Sequence, residues 1–86
     1  MSKYQVVLSK NAEKLLDKFS NKLVKPILSA IIGLEDNPRP KSCKKLKSRE
    51  AYRIRVGAYR IIYEIQDKKL LIDVIHLGHR KDVYKK

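Results

Sequence analysis

The apolar and polar positions in the first part of the chain predict a short strand followed by an amphipathic helix. Residues 4–8 are rich in strand-forming side chains and partly alternate, which is typical of a strand. Ser9 then offers an oxygen suited to capping a helix. Behind it, one apolar stripe recurs at positions i, i+3, i+4 and i+7, made of Ala12, Leu15, Leu16 and Phe19. This spacing predicts a helix that buries one face.

A second helical pattern follows, carried by Leu23, Ile27, Ala30, Ile31 and Leu34. Because Pro26 lacks the amide that a helix interior uses, we expect the regular helix to begin near Lys25, with the proline in the first turn. A kinked helix with an earlier start is the alternative. The helix must end before residues 37–40, since the two prolines there disfavour the α conformation in the residue before each. The basic stretch that continues to Arg49 is predicted to be an exposed connector.

The second half of the chain has the pattern of strands. Three β segments, residues 52–56, 59–65 and 70–77, are separated by short breaks, and such spacing predicts an antiparallel meander. The predicted element order is β-α-α-β-β-β. We therefore expect one small α+β domain over residues 1–86, in which an antiparallel sheet packs on two N-terminal helices.

Composition agrees with one small domain and adds a strong positive charge. The 86 residues include 43% hydrophobic ones, enough for a small core. Twenty-one Lys and Arg face nine Asp and Glu, a net charge of +12, and such a field attracts polyanions, above all nucleic acid. An acidic protein partner would be attracted by the same field. No apolar run approaches the roughly 20 residues that span a bilayer, so we expect a soluble, cytoplasmic protein with no membrane partner.

The cysteine and the two histidines offer little for disulfide or metal chemistry. Cys43 is the single cysteine, so no intramolecular disulfide can form. His76 and His79 have no second close pair of Cys, His or carboxylate ligands at metal spacing. We expect no metal site and no cofactor.

Strand alternation gathers three arginines on one face of the predicted sheet. Arg53 and Arg55 alternate with the apolar positions of their strand and so point away from the core. If the two residues after Val56 form a hairpin loop, Arg55 pairs with Arg60 and Arg53 with Ile62. We call Arg53, Arg55 and Arg60 the arginine face.

The arginine face breaks a pairing rule, because like charges directly across a strand pair are destabilising. Either a nearby acid such as Glu64 relieves the repulsion, or the face exists to receive an anion; a solvated polar surface is the plain alternative. The guanidinium fork suits phosphate and keeps its charge at any physiological pH. After the last strand, His79, Arg80 and Tyr84 could swing over the same face, where they would suit phosphate chemistry on RNA. RNA carries its own nucleophile, the 2′-hydroxyl, so such cleavage needs no metal.

Five segments then form a combination that is specific at this length: Asn37–Pro40, Lys44–Leu46, Tyr52–Val56, Tyr59–Ile65 and Gly78–Tyr84. With them, essentially the whole chain resembles the RelE/ParE superfamily of bacterial and archaeal toxins. The resemblance implies a strand, two helices and an antiparallel meander. It also implies the toxin of a type II toxin-antitoxin pair, bound in a hetero-oligomer by an antitoxin that is acidic where it wraps the toxin.

The RelE branch of the superfamily cleaves messenger RNA in the ribosomal A site and so inhibits translation. The resemblance thus implies a ribosome-dependent, metal-independent endoribonuclease with the site residues Arg53, Arg55, Arg60, Arg80, Tyr84 and His79. Arg60 and Arg80 would hold the scissile phosphate, and the other two arginines would bind the RNA backbone. Several members have lysine at position 53 or 55, and arginine cannot readily act as a base. Proton transfer is therefore expected from Tyr84 or His79.

The basic connector supplies further candidates for contact with RNA or the ribosome, namely Arg39, Lys41, Lys44, Lys45, Lys47 and Arg49. Two other interpretations stay open. The ParE branch shares the fold but poisons DNA gyrase, and a basic RNA- or ribosome-binding module would need no catalysis. The presence of Arg53, Arg55, Arg60, Arg80 and Tyr84 together favours the RNA-cleaving branch.

Overall fold

The structure, a computed structural model, describes residues 3–46 and 51–79. Its elements in chain order are β1 (Gln5–Leu8), α1 (Lys10–Asp17), α2 (Asn21–Gly33), β2 (Lys44–Lys45), β3 (Tyr52–Val56), β4 (Tyr59–Gln66), a 3₁₀ turn (Asp67–Lys69) and β5 (Leu71–His79). The predicted α+β class and the order of the predicted elements are confirmed.

The strands form one five-stranded sheet in the order β1-β5-β4-β3-β2, and the antiparallel meander of β3, β4 and β5 is as predicted. Two details of the sheet differ from the prediction. β1 pairs in parallel with β5, so the sheet is mixed, and part of the predicted connector forms β2 against β3. The β1–β5 pairing joins segments that are distant in sequence, and the local pattern of side chains does not specify it. β2 lies close to β3 in sequence, but its two residues are lysines, which are depleted in strands.

The start of α1 is fixed by the predicted cap. The Ser9 hydroxyl accepts a hydrogen bond from the Ala12 amide at 3.0 Å and donates one to the Ile75 carbonyl at 2.9 Å. The Ser9 amide also donates to the Val74 carbonyl at 3.0 Å. The parallel direction of β1 thus lets α1 lie against the part of β5 that continues beyond β1.

The start of α2 is a correction. The helix begins at Asn21, not near Lys25, because Ser20 caps it and accepts a hydrogen bond from the Leu23 amide at 3.4 Å. Pro26 therefore lies in the second turn. Pro26 and Lys22, whose carbonyl loses a helical donor, are both exposed, so water can replace the missing bond.

Both helices pack on the same face of the sheet. The fully buried apolar residues of this core are Ala12, Ile27, Ile31, Leu34, Ile54, Ile61, Tyr63, Ile72, Val74 and Leu77. On β3 and β4 they alternate with the positions that carry the arginines. The arginine face is therefore on the side of the sheet opposite the helices.

The β3–β4 hairpin fixes the register of the arginine face as predicted. Gly57, the first loop residue, has a φ of 61°, in the left-handed region that glycine adopts without steric cost. Val56 then pairs with Tyr59, and Arg55 with Arg60. This loop geometry matches the right-handed twist of the flanking strands.

Candidate functional site

The arginine face belongs to two neighbouring rows of residues that run across the sheet. One row contains Lys44, Arg53, Ile62 and His76, and the next contains Arg55, Arg60 and Gly78. Residues directly opposite each other share a face, with Cβ atoms about 5 Å apart. The sheet therefore brings one lysine, three arginines and an imidazole together at the end next to the β3–β4 hairpin loop.

The three arginines differ strongly in exposure. Arg55 is exposed and Arg53 is half-buried, but only 1% of Arg60 is exposed. Gly78, directly opposite Arg60, presents no side chain. Arg60 also interacts with its surroundings, as a buried charge must. Arg53 and Arg55 are therefore the accessible members of the arginine face, and Arg60 is its buried member.

The same face becomes acidic farther from the hairpin loop. Glu64 lies two positions beyond Ile62 on β4 and pairs with Asp73 of β5. The Gln66 amide donates a 2.8 Å hydrogen bond to the Asp73 carboxylate. The face thus has a cationic end and an acidic end, and an anion is attracted to the cationic end.

A β-bulge places His76 in the row of Arg53. Ile62 pairs with His76 but Tyr63 pairs with Val74, so Ile75 is an extra residue in β5. Bulges of this kind redirect side chains and are frequent next to functional sites. The Asn11 side-chain amide lies 3.2 Å from Nδ1 of His76.

Sequence reasoning weighed His76 only as a metal ligand and missed this position. The signal was present in the spacing of the buried residues of β5. Ile72 and Val74 are two residues apart, as in a regular strand, but the next buried apolar residue, Leu77, follows after three. A slip from two to three in a strand pattern indicates a bulge.

Arg39 lies apart from the arginine face. Its guanidinium forms an ion pair with Asp67 at 2.9 Å, and its Nε donates to the Tyr52 hydroxyl at 3.3 Å. The Tyr4 hydroxyl donates to the same carboxylate at 2.7 Å. The hydrogen bond from Arg39, more than that from Tyr4, lowers the pKa of Asp67, and the bond to Asp67 raises the pKa of Arg39. Tyr52 is on the helix side of the sheet, so Arg39 anchors the connector there.

A second contact holds the connector on the helix side. The buried Tyr63 hydroxyl donates a 2.7 Å hydrogen bond to the Pro38 carbonyl, and its ring stacks on Tyr52 at a centroid distance of 5.9 Å. Burial is the main cause that raises the pKa of Tyr63. The first part of the predicted connector is thus packed on the core, although Lys41 is exposed.

The remaining predicted residues divide between strand positions and undescribed segments. Lys44 shares the row of Arg53, whereas Lys45 pairs with Tyr52. His79 pairs with Tyr59, one position beyond the row of Arg55 and Arg60. The others lie outside the residues that the structure describes: Lys47, Arg49, Arg80 and Tyr84.

Comparison with known proteins identifies the family. The model of the family described as "ParE toxin of type II toxin-antitoxin system, parDE" matches residues 6–84. The chain belongs to the RelE/ParE superfamily of type II toxins. A RelE-like toxin protein of Escherichia coli is 29% identical to it, over 95% of this chain and 90% of the relative.

Solved RelE structures resemble this toxin in fold. The archaeal RelE–RelB complex from Pyrococcus horikoshii matches with a TM-score of 0.82 and 28% identity, over 91% of this chain and 96% of that one. A RelB–RelE antitoxin-toxin complex from Methanococcus jannaschii has a TM-score of 0.71 and 30% identity, covering 91% and 94% of the two chains. The resemblance stated from the sequence motifs is therefore confirmed.

Residues 3–46 and 51–79 contain neither a membrane-spanning helix nor a cluster of metal ligands. Neither helix of this part of the toxin is long and apolar enough to cross a membrane. Within the same ranges, no group of three or more His, Cys, Asp or Glu is placed to hold a metal ion.

Proposed function

We propose that this toxin is a ribosome-dependent endoribonuclease that cuts messenger RNA in the ribosomal A site and so blocks translation. The observation that carries the proposal is the pair of cationic rows on the sheet face opposite the helix-packed core. Lys44, Arg53, Arg55 and Arg60 concentrate positive charge there. Arginine binds phosphate in a bidentate geometry that lysine cannot offer.

The chemistry follows from RNA itself. The 2′-hydroxyl oxygen attacks the adjacent phosphorus, the bond from phosphorus to the 5′-oxygen breaks, and a 2′,3′-cyclic phosphate and a 5′-hydroxyl result. Negative charge grows on the phosphoryl oxygens during this step, and preorganised cations stabilise it. Arg53 and Arg55, the accessible members of the arginine face, bind the RNA backbone first. Arg60, together with Arg80 from the undescribed C-terminal residues, stabilises the transition state.

The ribosome would hold the messenger RNA in a reactive geometry for the toxin. Self-sufficient ribonucleases rely on a paired histidine and carboxylate, and the sequence contains no obvious pair of this kind. A substrate held in a reactive geometry by another particle reduces the entropic cost of reaching the transition state. A small basic domain can then act mainly by charge stabilisation.

The proposed partner in the resting state is an acidic antitoxin. The similar structures from Pyrococcus horikoshii and Methanococcus jannaschii are complexes of RelE with RelB. A net charge of +12 favours an acidic partner. An antitoxin that binds the folded toxin and not the unfolded chain would also stabilise the fold.

Single-turnover cleavage on programmed ribosomes tests the proposed roles. We expect Arg60→Ala and Arg80→Ala each to slow cleavage by about 100-fold or more, the scale of losing a charged contact in the transition state. Lys25→Ala is the matched control, because it removes one positive charge from an exposed position on α2. Circular dichroism verifies that each variant is folded. An unchanged rate in a folded Arg60→Ala or Arg80→Ala protein would contradict the role assigned to that arginine.

Inhibition of DNA gyrase is the second candidate, favoured by the match to the ParE family model. A supercoiling assay with purified gyrase separates the two functions. Inhibition of supercoiling together with intact messenger RNA on ribosomes would favour the ParE activity. Ribosome binding without cleavage or gyrase inhibition would instead indicate a binding module.

A further inference from the structure

His76 is the one described imidazole that the sheet places among the arginines. It pairs with Ile62, which pairs in turn with Arg53. Arg60 pairs with Gly78, two residues beyond His76 on the same strand, so His76 and Arg60 are diagonal neighbours. Diagonal neighbours in a sheet lie about 7 Å apart, within reach of long side chains. A phosphate bound by the half-buried Arg53 over Ile62 would therefore lie within reach of this imidazole.

Asn11 fixes the orientation of the imidazole ring. Its side-chain amide lies 3.2 Å from Nδ1 of His76. The start of α1 is itself tied to the bulge, because the Ser9 hydroxyl donates to the Ile75 carbonyl at 2.9 Å. Asn11 is thus held two residues from an anchored cap.

An asparagine suits a histidine that changes its protonation state. With the amide turned so that its oxygen faces the ring, this oxygen accepts from Nδ1 of the imidazolium, and it still accepts from Nδ1 of the neutral ring that remains once Nε2 has given up its proton. In both states the ring keeps its place and Nε2 is left for another partner. Imidazole is the side chain that changes charge near neutral pH.

We propose that His76 is the general acid of the RNA cleavage and that Asn11 is its positioning residue. The proposal rests on the proposed endoribonuclease function. As the bond from the 2′-oxygen to phosphorus forms and the bond from phosphorus to the 5′-oxygen breaks, the His76 imidazolium donates its Nε2 proton to the departing 5′-oxygen. The proton of the 2′-hydroxyl goes to a water molecule. The products are the 2′,3′-cyclic phosphate, a 5′-hydroxyl and neutral His76.

A sulfur substitution in the substrate tests the proton donor. In a messenger RNA whose A-site linkage has sulfur in place of the bridging 5′-oxygen, the leaving thiolate needs no proton. We expect His76→Gln to slow cleavage of the normal linkage on programmed ribosomes by about 100-fold or more, as loss of a general acid does. On the sulfur linkage the variant should cut within about threefold of the wild-type rate, since that step involves no general acid.

Asn11→Ala tests the positioning role against a matched control. We expect it to slow the normal linkage by about tenfold, a part of the 100-fold or larger effect of general acid catalysis, and to have little effect on the sulfur linkage. Asn21→Ala replaces an exposed asparagine in the first turn of the other helix and should change neither rate. Equal slowing of both linkages by His76→Gln, or no slowing of either, would overturn the proposal. Absence of cleavage by the wild-type toxin would overturn the proposed function with it.

Discussion

Arg55 and Arg60 face each other across the β3–β4 pair, although the rest of the hairpin follows ordinary pairing rules. Such a pair is destabilising by a fraction of a kcal/mol to about 1 kcal/mol. Active sites commonly retain local costs of this kind because their function needs them. At the scale of single residues, the exposed Arg55 is therefore the member of this pair whose removal tests the repulsion.

Arg55→Ala should separate stability from activity. Arg55 is exposed, so its truncation removes repulsion and little packing. We expect the free energy of unfolding to stay unchanged or to rise by a few tenths of a kcal/mol at low salt, while cleavage on ribosomes falls. Urea unfolding at low and high salt, with Lys25→Ala for comparison, measures the stability. A loss of more than about 1 kcal/mol, beyond the usual range for surface substitutions, would mean that Arg55 is structurally required.

Asp67 is the residue for which the structure predicts a pH dependence of stability. The hydrogen bond from Arg39 holds the pKa of Asp67 below its usual range. A carboxylate with a lowered pKa in the folded state stabilises the fold above its unfolded pKa, and the contribution is lost as the pH falls through the folded pKa. Asp67→Asn should therefore lower the unfolding midpoint at pH 7, and its difference from the wild type should shrink as the pH falls below about 3.9.

A matched substitution controls for the lost carboxylate. Asp36 is exposed just beyond α2, and Asp36→Asn should show a smaller change in the unfolding midpoint at pH 7. A difference between Asp67→Asn and the wild type that stays constant from pH 7 to pH 2.5 would contradict the assignment, because the ordinary aspartate pKa is about 3.9.

At the scale of elements, the features predicted correctly are those that depend on residues close together in sequence. Ser9 as a helix cap, the strand Tyr52–Val56 and the pairing of Arg55 with Arg60 all depend on residues within a few positions of each other. The predicted start of α2 near Lys25 was wrong because the missing amide of Pro26 was given more weight than the cap at Ser20. Exposure at Pro26 reduces the cost of a missing amide, and exposure is a tertiary property.

Two glycines give opposite predictions for the same change. Gly57 has a φ of 61°, and an added Cβ would meet nothing within 4 Å, so the cost of Gly57→Ala is purely conformational. We expect it to lower the free energy of unfolding by about 1–2 kcal/mol. Gly33 ends α2 with equal open space around it, and Gly33→Ala should raise the free energy of unfolding by up to about 1 kcal/mol.

Urea unfolding at neutral pH measures both variants against the wild type. If the two substitutions changed the stability in the same direction, the left-handed conformation at Gly57 would not be the feature that fixes the hairpin. Its register, and with it the opposition of Arg55 and Arg60, would then need another explanation.

At the scale of the whole molecule, the two faces of the sheet differ in polarity and in charge. The helix side holds the apolar core and the anchor of Arg39 on Asp67, and the other side carries the arginine face. The sequence motifs predicted the arginine face because strand alternation is local. They did not predict the ion pair of Arg39 with Asp67, which is 28 positions away in sequence. Nor did they predict the bulge that brings His76 beside Arg60, because both features depend on how distant segments pack.

Primer extension on one messenger RNA decides whether this toxin cleaves RNA on the ribosome. The RNA is compared naked, on programmed ribosomes, and on ribosomes with the Arg60→Ala protein. We expect cuts in the A-site codon on ribosomes with the wild-type toxin, none on naked RNA and a loss of at least about 100-fold in the variant. Intact messenger RNA on ribosomes with a demonstrably folded wild-type toxin would contradict this expectation.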